Sequence, residues 1–291
     1  FGVTRGTKNG KKDIPVTVTD IYGNEYETST SVNVTKRDAD DFDWDEAVIY
    51  MTCTDRFFDG NASNNDGVDK EGSLSYHGGD FAGLEAKLDY LESLGINTIW
   101  ITPIVENSDT TTEKDGETIE STGYHGYWAS DFEKLNPQLG TEEEFAALID
   151  AVHAHDMKIM VDVVLNHAGY MTDDTFNQKI EIGKDANGNP VYKDMIRGEE
   201  ETIEGDEEKS GLSGLPDFMT EDPEVRALLI AWQTSWISKF DIDYYRVDTV
   251  KHVDDVTWIE FKNELTKINS RFKLIGEYYV GGYRNDFDQL G

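Results

Sequence analysis

Cysteine is almost missing from this chain, with Cys53 the only one in 291 residues. A single thiol cannot form an internal disulfide or a cysteine-based zinc cluster, so the loops must be stabilised in another way. Cys53 ends the run V-I-Y-M-T-C, which has the composition of a buried strand, and it is expected in the core. Basic residues are also scarce: 26 lysines and arginines face 59 aspartates and glutamates, a formal net charge of −33. That balance repels phosphate backbones and anionic lipid surfaces, so nucleic acid is an unsuitable partner, whereas a neutral ligand suffers no penalty. Its plainest consequence is a well-solvated surface. No apolar run reaches the length of a bilayer span, so no membrane insertion is expected. The first residue is Phe1 rather than methionine, which suggests processing or a boundary within a longer chain.

The length permits one large domain or two smaller ones, and the pattern changes near residue 41. From Ile14 to Thr35 the sequence alternates with period two around Gly23-Asn24, the pattern of a hairpin. Two or three strands cannot bury a core alone. Residues 1–40 are therefore taken as the C-terminal part of a β-sandwich module, followed by the polar link Lys36–Asp45.

Residues 41–291 alternate strand and helix, which predicts a parallel sheet in an α/β fold. Strands are expected to start at Val48, Thr98, Lys158, Asp243 and Lys273. An amphipathic helix with Leu84, Leu88 and Leu91 on one face should run from Phe81 to Gly95. Thr141 and Glu144 form a capping-box pattern, and Pro223 suits a first helical turn. The connection from about 168 to 222 is long, polar and turn-rich, which predicts an inserted subdomain after the third strand. A closed (β/α)8 barrel needs eight strands, and five are visible.

Polar residues gather at the ends of those strands. Asp162, Asn166 and His167 follow the third, Arg246 and Asp248 lie on the fourth, and Glu277 ends the fifth. In a parallel barrel these ends converge on one mouth, where side chains from separate strands can surround a substrate. Arg246 and Asp248 are two apart and hence on one face, which is expected to be that mouth. A buried structural ion pair is the plainer alternative, but it would not account for acids on the adjacent strands.

The runs D-V-V-L-N-H (Asp162 to His167), R-V-D-T-V-K-H (Arg246 to His252) and G-E (Gly276, Glu277) resemble, in order, three signature regions of the α-amylase family, glycoside hydrolase family 13. The resemblance implies a TIM barrel and a retaining double displacement. Asp248 would be the nucleophile, Glu277 the general acid/base, and Arg246 the cation that orients the nucleophile. On this reading Arg246 should depress the pKa of Asp248, and burial should raise that of Glu277. The segment G-Y-H-G-Y-W resembles the family's sugar-enclosing stretch, so His125 and Tyr127, with Trp128 beside them, would contact substrate. Asp162 and His167 would support the site, and Lys251 and His252 would meet the sugar on the leaving-group side. His153 and His155, near a helix end, are taken as structural.

The segment from Asp59 to Asp66 and the following Y-H-G-G-D are rich in short oxygen-bearing side chains, the donor type that calcium takes. They resemble the calcium loop of cyclodextrin glucanotransferases and related bacterial amylases. That resemblance implies Asp59, Asn61, Asn64, Asn65, the Gly78 carbonyl and Asp80 as ligands, with a metal-free turn as the plain alternative. A second family site would use Asn166 and the His252 carbonyl, but Met219 stands where many members carry an acid. The chain also has Tyr244 where the family usually has glycine, and a fourth signature with a histidine and an aspartate is not in the sequence.

The expectation is an α-amylase that hydrolyses internal α-1,4 bonds of starch or malto-oligosaccharides outside the cell or at its surface, since starch does not cross membranes. A cyclodextrin-forming transglycosylase and a silent starch-binding fragment are the rivals; the second should lack Asp248 or Glu277, and both are present.

Overall fold

The computed structural model describes residues 10–34, 47–114, 117–170 and 179–279, and the chain divides into two compact units, Phe1–Ala47 and Val48–Gly291. In the first unit β1 (Gly10–Thr19) and β2 (Glu25–Val34) pair antiparallel without a register slip. Asp20 makes the turn: its Oδ1 accepts the amides of Tyr22 and Asn24 at 2.8 and 2.9 Å, while Gly23 takes φ +85°. A residue with a Cβ would be strained there, so the Gly-Asn signal has a direct backbone cause. The link Lys36–Asp45 lies outside the described residues.

The second unit is organised by a five-stranded sheet. Its strands are β3 (Ile49–Thr52), β4 (Thr98–Ile101), β9 (Lys158–Val163), β12 (Tyr244–Val247) and β13 (Lys273–Gly276). They lie side by side in chain order and every neighbouring pair is parallel. Such an unreversed succession, with helices between strands, is the arrangement of a (β/α) barrel rather than of a doubly wound sheet, whose order reverses at a switch point. Between β4 and β9 a short β5 (Val105–Asn107) pairs with β8 (Ala129–Leu135), and β6 (Thr110–Lys114) with β7 (Glu117–Ser121), two antiparallel excursions that the sequence reading did not anticipate. After β9, β10 (Ile180–Lys184) and β11 (Pro190–Lys193) form a hairpin inside the 168–222 stretch.

Central strands are buried on both faces: β9 and β12 have no exposed residue. β3 has one sheet neighbour among the described residues, and Ile49 and Met51 are exposed as a result. This corrects the reading of V-I-Y-M-T-C as a buried strand. Cys53 is not a strand core residue either; it is partly buried at the N-cap of α1 (Thr54–Phe57).

The helix expected from Phe81 to Gly95 is broken into α2 (Phe81–Glu85) and α3 (Leu88–Ser93), since Lys87 adopts the non-helical pair φ −110°, ψ 7°. Its apolar stripe survives the break, with Leu84, Leu88 and Leu91 all buried, and Gly95 ends it at φ +78°. α4 (Glu142–Ala154) opens with the complete Thr141–Glu144 capping box, and α5 (Pro223–Lys239) begins at its proline. α6 (Asp255–Ile268) buries Phe261 and Leu265, and Phe261 stacks against Tyr245 of β12. The helices thereby fix where the strand ends project.

Candidate active site

Parallel pairing places Arg246 level with Asp162, since these two are register partners between β12 and β9. One residue past β12, the Asp248 amide bonds to the Val163 carbonyl at 2.9 Å; one residue past β13, the Glu277 amide bonds to the Val247 carbonyl at 2.8 Å. Three carboxylates from three adjacent strands therefore surround one guanidinium. Arg246 Nη1 donates to both oxygens of Asp162 at 3.0 Å and to Asp248 Oδ1 at 2.7 Å, and Nη2 lies 3.1 Å from Glu277 Oε2. Asp248 and Glu277 also share a hydrogen bond.

The electrostatics follow from the count of one cation against three acids. Asp162 is fully buried, and burial lifts its pKa to about 6 although Arg246, Tyr127 and Trp100 all donate to it. Asp248 is lifted to about 7, by burial first and then by the charge of Asp162, with Arg246 pulling the other way. Burial would also raise Glu277, but the Thr249 amide, the Arg246 charge and the hydrogen bonds to Asp248 and Arg246 outweigh it, and its pKa is lowered.

The expected order of the two acids is thus reversed. The reading from sequence assigned Arg246 to Asp248 alone and left Glu277 without a cation. In the structure Asp162 competes for the same guanidinium, while Glu277, 41% exposed, reaches it as well. Burial and the charge of Asp162 thus favour the neutral form of Asp248, while the donors around Glu277 favour its charged form.

Tyr127 donates its hydroxyl to Asp162 Oδ2 at 2.8 Å, which anchors its ring beside His125, stacked at 5.6 Å; burial first, then the charge and hydrogen bond of Asp162, raise the pKa of the phenol. Burial and then the charge of Arg56 push His125 down to about 4. It is neutral at pH 7, and because the Tyr127 amide donates to Nδ1 at 3.1 Å, the proton lies on Nε2. Trp128 meets the same imidazole edge-on at 4.4 Å. His167 is likewise driven to about 4 by burial; its Nε2 donates to the Tyr127 carbonyl and Asn166 Nδ2 donates to its Nδ1, both at 3.1 Å. Lys251 and His252, on the single turn after Thr249, are tied to Glu207 of the inserted stretch by its carboxylate and its carbonyl. His153 pairs with Asp243 and His155 with Asp89.

Three contributors escaped the sequence reading. Trp100 donates its indole N–H to Asp162 at 3.1 Å. Arg56 lies 3.7 Å over the Tyr124 ring, next to His125. Thr249 takes φ +50°, uncommon for a β-branched residue, and its amide reaches Glu277 Oε2 at 3.2 Å. Trp100 and Arg56 belong to no pattern that a single sequence displays, and Thr249, although inside the R-V-D-T-V-K-H run, acts through a backbone turn that the run does not announce.

The alpha amylase catalytic-domain family matches residues 49–271, a span that contains the ends of β3, β4, β9 and β12, with Arg246 and Asp248, and stops just before β13 and Glu277. The chain belongs to the alpha-amylase family. It is 35% identical over 225 residues to the alpha-amylase mde5 of Schizosaccharomyces pombe, covering 75% of this chain and 41% of that one. An Anoxybacillus alpha-amylase structure superposes with TM-score 0.69 at 35% identity, over 82% of this chain and 49% of the other. A γ-CGTase from alkalophilic Bacillus clarkii gives TM-score 0.67 at 29% identity, over 84% and 37%. The chain spans less than half the length of each of these relatives. Its five-stranded sheet is part of the (β/α)8 barrel of the alpha-amylases.

The loop segments of this alpha-amylase domain test the expected cation sites. Asp80 gathers the first: its carboxylate accepts the amides of Gly60 (3.0 Å), Asn61 (2.8 Å) and Gly83 (2.6 Å) and Asn64 Nδ2 (3.2 Å). Asp59 accepts Asn65 Nδ2 at 2.8 Å and Lys70 at 3.0 Å. The Oδ1 atoms of Asn64 and Asn65 are buried without any hydrogen-bond partner, and a Cβ on Gly78 would stand 2.6 Å from that of Asn65. Orphaned amide oxygens beside two carboxylates suit a hard cation. Asn61 fits less well, because its Oδ1 already accepts from Ser63 and its Nδ2 binds Glu144.

The second expected site does not fit. Met219 supplies a thioether where many family members carry an acid, and the nearby acids Asp217 and Glu221 are both occupied by Arg197.

Proposed function

We propose that the protein hydrolyses internal α-1,4-glucosidic bonds of starch and malto-oligosaccharides with retention of configuration. The observation that carries this reading is the placement of Asp248 and Glu277 one residue past adjacent parallel strands, on a shared Arg246. Asp248 attacks the anomeric carbon while Glu277 gives its proton to the departing oxygen, leaving a glucosyl ester on Asp248. Glu277 then takes a proton from water, which opens the ester and restores both acids. A retaining pair works at about 5 Å, so a glucosyl unit entering the site replaces the hydrogen bond between the two acids. Asp162 and Arg246 hold the nucleophile, neutral His125 offers Nε2–H to a sugar hydroxyl, and the Tyr127 ring offers a stacking face.

The 59–80 loop would hold calcium through Asp59, Asn64, Asn65 and Asp80, with the Gly78 carbonyl beside them; bound there, the ion neutralises paired acids and ties the loop together. Residues 1–40 serve as the end of a β-sandwich module. The described residues include no helix long and apolar enough to cross a membrane, and a polymeric substrate places the protein outside the cell or on its surface.

The second reading is a transglycosylase, supported by the likeness to the γ-CGTase over 84% of this chain. The deciding experiment incubates the full-length protein with soluble starch and separates the products. Linear oligosaccharides of α configuration support hydrolysis; cyclic products transfer the protein to the second reading. If Asp248→Asn leaves starch turnover unchanged, both fail.

A further inference from the structure

We infer that Arg197 supplies, from within the chain, the positive charge that holds the inserted stretch together where residues 216–219 meet the segment after β9, in place of a second bound cation. The junction is a short ladder. Residues 216–219 run between the end of β9 and residues 195–197. On one side the Ala168 amide donates to the Pro216 carbonyl at 3.0 Å and the Phe218 amide to the Asn166 carbonyl at 2.9 Å. On the other, the Arg197 amide donates to the Asp217 carbonyl at 2.7 Å and the Met219 amide to the Met195 carbonyl at 2.9 Å.

The Arg197 side chain, 1% exposed, closes this ladder. Nε meets Asp217 Oδ2 at 2.7 Å, while Nη1 and Nη2 grip Glu221 as a fork at 2.6 and 2.8 Å. Nη2 also faces the Glu208 carbonyl at 3.4 Å, and the adjacent Glu207 receives Lys251 and His252 from the β12 end. Two carboxylates and a carbonyl converging on one point form an oxygen set fit for a divalent ion. Here a guanidinium occupies it, and its planar fork matches a carboxylate in a way a spherical ion does not. Met219, in the ladder, offers only a soft thioether, so the position where many family members carry an acid adds no hard-cation ligand.

The consequence is a junction that does not respond to divalent metal. Asn166 and His167, whose backbone the ladder pins, keep their places whether or not calcium is present. The junction keeps this make-up whichever reaction the strand ends catalyse.

Hydrogen exchange of the full-length protein with and without a calcium chelator tests it. The amides of Ala168 and Phe218 report the ladder, and those of Asn61 and Gly83, both bonded to Asp80, report the first loop. The expected result is unchanged protection at Ala168 and Phe218 under chelation. In Arg197→Met, protection there falls by about a hundredfold or more with calcium or without it, because two acids lose their partner. Arg197→Lys, which keeps the charge but not the fork, restores part of it. Loss of protection at Ala168 and Phe218 in the chelated wild-type protein overturns the inference, as does full protection in Arg197→Met. If Arg197→Met does not fold, the wild-type comparison decides together with bound calcium counted by atomic emission: a second ion per chain overturns the inference. Unchanged Asn61 and Gly83 under chelation would instead count against calcium in the first loop.

Discussion

Trp100 donates its indole N–H to Asp162 Oδ2 at 3.1 Å, and the face of the same ring lies 5.1 Å from the Arg246 guanidinium carbon. One side chain thus steadies both members of the ion pair behind Asp248, the proposed nucleophile: the acid by a hydrogen bond, the base by its π face. Trp100→Phe keeps the ring and deletes the N–H. The expected effect in the full-length protein is a fall in kcat of roughly tenfold with KM little changed, since a group that acts through Asp162 does not touch bound sugar. Removing a donor from Asp162 raises its pKa further, so the acid limb of the pH–rate profile should also move upward. A profile that stays in place would leave Trp100 with a packing role alone.

The reversed order of the two acids has a kinetic signature. The proposed reaction needs Asp248 ionised and Glu277 protonated, whereas in the free protein the surroundings raise the pKa of Asp248 and lower that of Glu277. A neutral sugar that covers Glu277 excludes water from it and breaks the contact between the acids. Both effects raise Glu277 and release Asp248. The acid limb of kcat, set in the substrate complex, is therefore expected at lower pH than the acid limb of kcat/KM, set in the free protein. Initial rates on a defined malto-oligosaccharide across pH 4 to 9, ranges chosen to bracket the carboxylate and histidine values, separate the two. Coincident limbs would mean that substrate does not rearrange the pair.

The same buried acid costs stability. The folded pKa of Asp248, about 7, lies above its ordinary 3.8, so the folded state holds the proton more tightly than the unfolded chain across that window. Stability contributed by the bound proton is fully present below 3.8 and is lost as pH rises through the folded value. Asp248→Asn removes the charge for good. It should raise the thermal midpoint at pH 8 by an amount on the order of 2 kcal/mol in unfolding free energy, and the gain should vanish toward pH 4. The depressed Glu277 works in the opposite sense and limits the gain. Scanning calorimetry at both pH values checks the sign; a destabilised Asp248→Asn at pH 8 would show that the Arg246 attraction outweighs burial.

Legibility in the sequence depended on how local each cause is. The capping box at Thr141 and Glu144, the proline at 223 and the glycine at 95 act through the backbone of their own turn, and all three stand where the pattern places them. The strands and their carboxylates were legible because alternation and strand ends follow from two-residue periodicity. The β6–β7 excursion was missed although the turn pair Asp115-Gly116 separates its two threonine-bearing runs, since a polar hairpin lacks the apolar face that marks a strand. The ionisation order was not legible, because it depends on Asp162 and Glu277 meeting one guanidinium from positions 84 and 31 residues away along the chain. Exposure of Ile49 and Met51 likewise reflects which strands lie beside β3, something its own residues do not encode.

The paired orphan oxygens of Asn64 and Asn65 lead to the last expectation. Burying two amide oxygens without donors costs free energy, and a bound calcium recovers it by ligation. Calcium held a hundredfold above its Kd should stabilise the full-length protein by about 2.7 kcal/mol, and chelation should remove that increment. Asn65→Ala deletes one of the oxygens and the donor to Asp59, so the calcium-dependent increment should shrink by most of its value while the stability of the chelated protein changes little. Gly78→Ala offers an independent route, since its Cβ would press on the Asn65 oxygen at 2.6 Å and its φ of +86° disfavours any side chain. Thermal unfolding with and without chelator separates the outcomes: equal calcium increments in wild type and Asn65→Ala would show that the loop is an ordinary turn whose polar groups are satisfied by water.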